Sequence, residues 1–87
     1  MKSTVSVKIA DILTRELSYA DFASSSLKSE MKIFEKKYHM NWNDFLNKFE
    51  DGKLGDDRAW FTWYGLALST KDWDDQKKEI EQAIRVT

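Results

Sequence analysis

Residues 10–38 read ADILTRELSYADFASSSLKSEMKIFEKKY, and this stretch decides the fold. Ala10, Leu13, Leu17, Ala20, Ser24, Leu27, Met31, Phe34 and Tyr38 follow one another in steps of three and four. Side chains so spaced share one face of a helix with about 3.6 residues per turn. The seam lasts roughly four heptads, which predicts a long helix packed against another helix. Ser24 is its weak point. Ser18 with Asp21 resembles a capping pair and offers a competing stop and restart. Ser24-Ser25-Ser26 is a poor helix former but keeps the period. One helix is expected, with a kink or short turn near Ser18 as the variant.

Past Tyr38, His39-Met40-Asn41 ends that helix. Asn41 is a good N-cap, Asp44 stands three residues on, and Met40 can staple onto Phe45. Trp42, Phe45, Leu46 and Phe49 then make the apolar face of a short helix, closed by the turn residues Asp51-Gly52-Lys53-Leu54-Gly55. Asp56 and Asp57 suit the positive end of a third helix. Its face is Ala59, Trp63, Leu66, Thr70, Trp73, Lys77, Ile80 and Ile84, widened by Trp60, Tyr64 and Ala67. Gly65 weakens this helix without ending it, and Ser69-Thr70 with Asp72 offers a break. Proline is absent and glycine occurs three times, so strong breakers are few. Upstream, Val5, Val7 and Ile9 alternate with Ser6 and Lys8. That period of two describes either a short strand paired with its twin in a dimer or an arm without regular structure. The expected fold is one all-α domain over residues 1–87, long helix, short helix, long helix, with an optional strand at residues 5–9.

An 87-residue chain holds one domain, and such a monomer buries only about 60–65% of its unfolded surface. Cysteine is absent, which removes disulfides and thiolate metal sites. A second chain is then the expected source of extra stability. The expectation is a helical-bundle homodimer sealed by Leu13, Leu17, Leu27, Met31 and Phe34. The net charge of −1 gives the whole molecule no general pull on nucleic acid. Residues 1–40 carry seven Lys/Arg against five Asp/Glu, and residues 41–87 seven against ten, too mild an asymmetry to imply DNA binding. No apolar run reaches the roughly 20 residues of a membrane span, and the start lacks the apolar stretch of a signal peptide, so the chain is expected in the cytoplasm.

The residues of catalysis are thin. His39 is the only imidazole, and it follows Glu35 by four residues on one helix face; a surface histidine near a helix end is the plain reading. Nucleophilic catalysis needs a nucleophile, a base and an orienting group. Glu50-Asp51, Asp56-Asp57 and Asp74-Asp75 are adjacent pairs, which point about 100° apart on a helix and do not converge. Gly52-x-x-Gly55 lacks the Gly-Lys-Ser/Thr of a phosphate loop, and the Asp51 region lacks the alternating ligands of a calcium loop. The expectation is no enzyme, no cofactor and no metal.

The strongest local feature is Trp60-Phe61-Thr62-Trp63-Tyr64, four aromatics within five positions. Trp60, Trp63 and Tyr64 share one broad face, and Phe61 points away from Trp60. Two readings stand: core packing, with Phe61 over a loop, or a partner anchor built from Trp60, Phe61, Trp63 and Tyr64. Trp73, among Asp72, Asp74 and Asp75, is likewise either the plug of a helix pair or an anchor.

Leu17-Ser18-Tyr19, Phe34-Glu35-Lys36-Lys37-Tyr38-His39-Met40, Trp42, Asp44-Phe45-Leu46, Phe49-Glu50-x-Gly52-x-Leu54-Gly55-Asp56-Asp57 and Trp60-Phe61-x-Trp63-Tyr64 together resemble a family of small archaeal and bacterial proteins. That family is regarded as antitoxin-like, the labile half of type II toxin–antitoxin pairs. The resemblance spans roughly residues 17–75, and its motifs are structural. Where the family places a glycine after Phe-Glu-Lys-Lys-Tyr, this chain has His39. The resemblance implies a prokaryotic protein that binds and neutralises a small toxin. Such antitoxins often also bind their own promoter as dimers, and the short strand at residues 5–9 before a helix is similar to the start of a ribbon-helix-helix reader, in which Thr4, Ser6 and Lys8 would read DNA. That fold needs two helices joined by a turn, and only the Ser18 break offers one. A self-assembling helical dimer of structural role, without a toxin, and a ribbon-helix-helix-like transcription regulator are the other expectations.

Overall fold

The computed structural model describes residues 7–85. They form α1 (Val7–Tyr38), α2 (Trp42–Glu50) and α3 (Arg58–Arg85), with no strand among the described residues. The all-α, long-short-long order follows the spacing of the apolar residues.

α1 runs unbroken through Ser18 and through Ser24-Ser25-Ser26. Val7, Lys8 and Ile9 belong to its first turn, so this part of the expected strand is helical instead. Extending an existing helix adds one hydrogen bond per residue fixed, whereas an isolated strand has nothing to pair with. Thr4, Val5 and Ser6 lie outside the described residues. Lys36 and Lys37 in the last turn suit the negative end of the helix dipole. His39 then takes φ 55°, the left-handed conformation that glycine adopts most easily.

The joint to α2 is held by two caps. The Asn41 side chain accepts from the Asp44 N–H at 2.9 Å, and Glu35 of α1 accepts from the Trp42 N–H at 2.8 Å. Glu35 thus ties the start of α2 to the helix before it. α2 ends in a Schellman motif: Gly52 N–H donates to Phe49 C=O and Lys53 N–H to Lys48 C=O, with Gly52 at φ 73°. Asp57 caps α3, its carboxylate accepting from the Ala59 N–H and its carbonyl from the Trp60 N–H, each at 3.0 Å. Ser69, Thr70 and Asp72 pass without a break.

α1 and α3 pack antiparallel over most of their length. Tyr38 meets Trp60, Phe34 meets Trp63, Ser24 meets Asp74 and Asp21 meets Lys77. α2 covers only the end near the connecting loops. There Met31, Phe45, Leu46, Trp63 and Ala67 form the main core, flanked by Phe34, Tyr38, Trp60 and Tyr64. Beyond it the interface narrows to the small buried residues Ala20, Ser24 and Thr70, with Ile80 further out. The molecule is accordingly long and thin, 56 × 22 × 17 Å.

The seam expected to seal a homodimer is largely occupied within the chain. Met31 lies in the core, and Phe34 stacks on Trp63 at 5.5 Å. Leu13, Leu17 and Leu27 share that face and are half-buried. The 28-residue α3 runs along this seam.

Two substitutions test the backbone reading. His39→Gly relieves a left-handed non-glycine residue, and Gly65→Ala fills a helix interior where an added Cβ meets nothing within 4 Å. Each should raise the unfolding free energy by about 0.5–1 kcal/mol, read from the urea midpoint at unchanged slope.

Candidate interaction surface

The aromatic cluster resolves mainly into core. Trp63 is fully buried, stacked on Phe45 at 4.0 Å with the rings 4° from parallel, and on Phe34 from the other helix. Trp60 is half-buried against Tyr38 and Phe45. Tyr64 packs on Phe49 at 4.6 Å, and its hydroxyl donates to Glu50 at 3.3 Å. Burial first, then the Glu50 carboxylate, raises the Tyr64 phenol above its ordinary value. Trp60, Trp63 and Tyr64 are therefore committed to packing and, as anchors, would have to leave it. Phe61 is different: it is 53% exposed, edge-on to Phe49. Trp73 is half-buried with its ring edge-to-face on Tyr19 at 5.4 Å, so it bridges α3 to α1.

The carboxylates serve structure. Asp57 and Glu35 cap helices, and Asp74 takes part in a polar lock between α1 and α3. Ser24, buried within the seam, donates to Asp74 Oδ1 at 2.6 Å, while Lys28 lies 3.3 Å from Asp74 Oδ2. One helical turn along, Lys77 Nζ donates to Asp21 Oδ1 at 2.8 Å. The serine that weakens the apolar period is thus a buried interhelix donor. His39 sits beside Lys32, Glu35, Lys36, Met40 and Asn41 in a surface hollow, where Glu35 is already engaged by the Trp42 N–H. Among the described residues, no group of three or more His, Asp or Glu is arranged to hold a metal ion, and no helix is long and apolar enough to cross a membrane.

A second apolar face remains on α1. Phe22 is 69% exposed, Ile33 73%, Tyr19 58% and Ile12 48%. Ile12, Tyr19, Ser26 and Ile33 stand seven residues apart, and Phe22 and Ala23 fall beside them. This stripe is centred about 130° around the helix from the face that packs on α3, and Tyr19 lies on its near flank, with one edge of its ring on Trp73 of α3. The spacing was available in the sequence, but the denser seam of Leu13, Leu17, Met31 and Phe34 masks it. Phe22, Tyr19, Ile12 and Ile33 were consequently missed as surface residues. Of the residues expected to contact DNA, Lys8 is exposed on the first turn of α1, and Thr4 and Ser6 are outside the described residues. The ribbon-helix-helix arrangement needs a turn where α1 continues through Ser18.

The fold is an antiparallel helical hairpin with a short third helix closing one end, and its largest unspent chemical feature is the outer stripe of α1. Compared with protein families, with curated proteins and with solved structures, the chain matches none.

The Asp21–Lys77 pair gives a pH test. Its hydrogen bond and charge hold the Asp21 carboxyl below its ordinary value of 3.8, and the same hydrogen bond raises the Lys77 ammonium above 10.5. A depressed carboxyl stabilises the fold above its ordinary value and loses that contribution as pH falls through the folded value. A raised ammonium stabilises below its ordinary value and loses that contribution as pH rises through the folded one. Lys77→Met should therefore lower the thermal midpoint slightly at pH 7. The gap from the parent chain should close on acidification below 3.8 and also above 10.5.

Proposed function

We propose that this chain is a non-catalytic protein-interaction module whose contact surface is the outer face of α1. The supporting observation is the exposure of Ile12, Phe22 and Ile33 on one side of a helix whose other side is already packed, with Tyr19 at the stripe's edge, 58% exposed while its ring leans on Trp73. Scattered exposed apolar residues are ordinary, but an aligned stripe with two aromatics marks an interaction site. Tyr and Phe bury large areas with few rotatable bonds, so they bind at low entropic cost. The employment of Glu35, Asp57, Asp21 and Asp74 in caps and ion pairs favours binding over acid–base work.

The sequence resemblance supplies the partner class: a small toxin protein that this chain would neutralise as an antitoxin-like inhibitor. The exposed Phe61, on the aromatic end, offers that partner a further contact. Co-expression with the product of the adjacent gene tests both parts. The parent chain should co-purify with it and relieve its growth inhibition, and Phe22→Glu should abolish co-purification while leaving the helical circular dichroism unchanged. Persistent toxicity would remove the antitoxin role. An intact complex with Phe22→Glu would remove α1's outer face as the contact.

A further inference from the structure

Resting on the reading of α1's outer face as an interface, we propose that, when the other partner is absent, this face docks a second copy of the chain, with the two α1 helices antiparallel about a two-fold axis between Phe22 and Ala23. An isologous contact requires a patch that complements itself, and the stripe meets that demand residue by residue. About such an axis Phe22 falls opposite Ala23 of the second copy, and Tyr19 opposite Ser26. Each large ring meets a small side chain, as interdigitated packing needs. Ile12 falls opposite Ile33 and closes the apolar contact at both ends. Arg15 falls opposite Glu30, which sets opposite charges together twice by symmetry. The pairing stops where Lys8 would meet Lys37. A two-fold axis midway between Tyr19 and Phe22 lacks this match: it sets Ile33 against Lys8 and Arg15 against Ser26.

Size agrees. The stripe from Ile12 to Ile33 covers about 32 Å of helix at 1.5 Å per residue. A compact monomer of 10.3 kDa exposes about 5,400 Å² by the usual scaling, whereas this chain exposes 6228 Å². The radius of gyration, 16.9 Å, likewise exceeds the value of about 12 Å for a compact chain of this length.

The test uses the full chain, whose lack of cysteine makes single-cysteine cross-linking clean. Sedimentation equilibrium should show a dimer. Phe22→Glu should weaken it about tenfold or more, since the charge would enter an apolar contact. Arg15→Glu should weaken it roughly tenfold through two like-charge contacts, and adding Glu30→Arg should restore it. Ala23→Cys should oxidise to a disulfide-linked dimer. Ile12→Cys should not link to itself but should link to Ile33→Cys when the two are mixed. A monomer at every concentration, self-linking of Ile12→Cys, or failure of the charge swap to restore the dimer would each overturn the arrangement. Should the chain be monomeric while Phe22→Glu still abolishes co-purification, the face remains an interface and only its occupant is wrong. If Phe22→Glu changes neither, the interface reading falls as well.

Discussion

Everything else in the structure depends on Trp63 lying between Phe34 of α1 and Phe45 of α2. One indole on α3 contacts both other helices, so the three elements share a single fully buried ring. The parallel stacking on Phe45 at 4.0 Å brings α2 down onto α3, and Phe34 with Tyr38 brings α1 across the same ring. A tryptophan of this size removes on the order of 200 Å² from water, worth about 5 kcal/mol at 25 cal/mol per Å², against about 1–3 kcal/mol for its Nε1–H, which is buried without a hydrogen-bond partner. That is a large share of the roughly 5–15 kcal/mol by which small domains are stable. The fold has no disulfide to substitute for it.

This centre is displaced to one end because α2 has only nine residues. Along the rest of the hairpin, α1 and α3 have only each other. Two helices bury little surface alone, and an apolar seam in steps of three and four tolerates sliding by a turn. Ser24 bonded to Asp74, with Lys77 on Asp21, removes that freedom. A slip would strand the buried Ser24 hydroxyl and separate the charges. The ion pairs are exposed enough to contribute little raw stability. Their effect is to select one register among several.

The helices were legible in the sequence because apolar spacing and caps agree. Asn41, Gly52 and Asp57 each stand where a helix begins or ends, and each makes the bond its chemistry suggests. His39 takes a left-handed turn where the sequence reading ends the first helix. Less legible was which partner each face would find. The seam of Leu13, Leu17, Leu27, Met31 and Phe34 reads the same whether it packs on a second copy or on α3, because periodicity reports a face and not its neighbour. The same limit left Trp60 and Trp63 open between core and anchor. Val7 and Ile9 alternate like a strand, yet three residues at a helix start follow the helix. Ile12, Tyr19, Phe22 and Ile33 escaped notice because one helix carried two apolar faces and the stronger one fixed the phase.

A helix apolar on two sides has a thermodynamic consequence. The inner face of α1 is satisfied within the chain, so the hairpin can form alone. The outer face gains only when something covers it, and whatever covers it stabilises the folded state by mass action. Folding and docking are thus linked but separable: the aromatic end specifies the structure, and the arm that α1 and α3 form beyond it would carry any dependence on a partner. Such a division suits a binding protein, because losing its partner would weaken the arm first and leave the Trp63 centre intact.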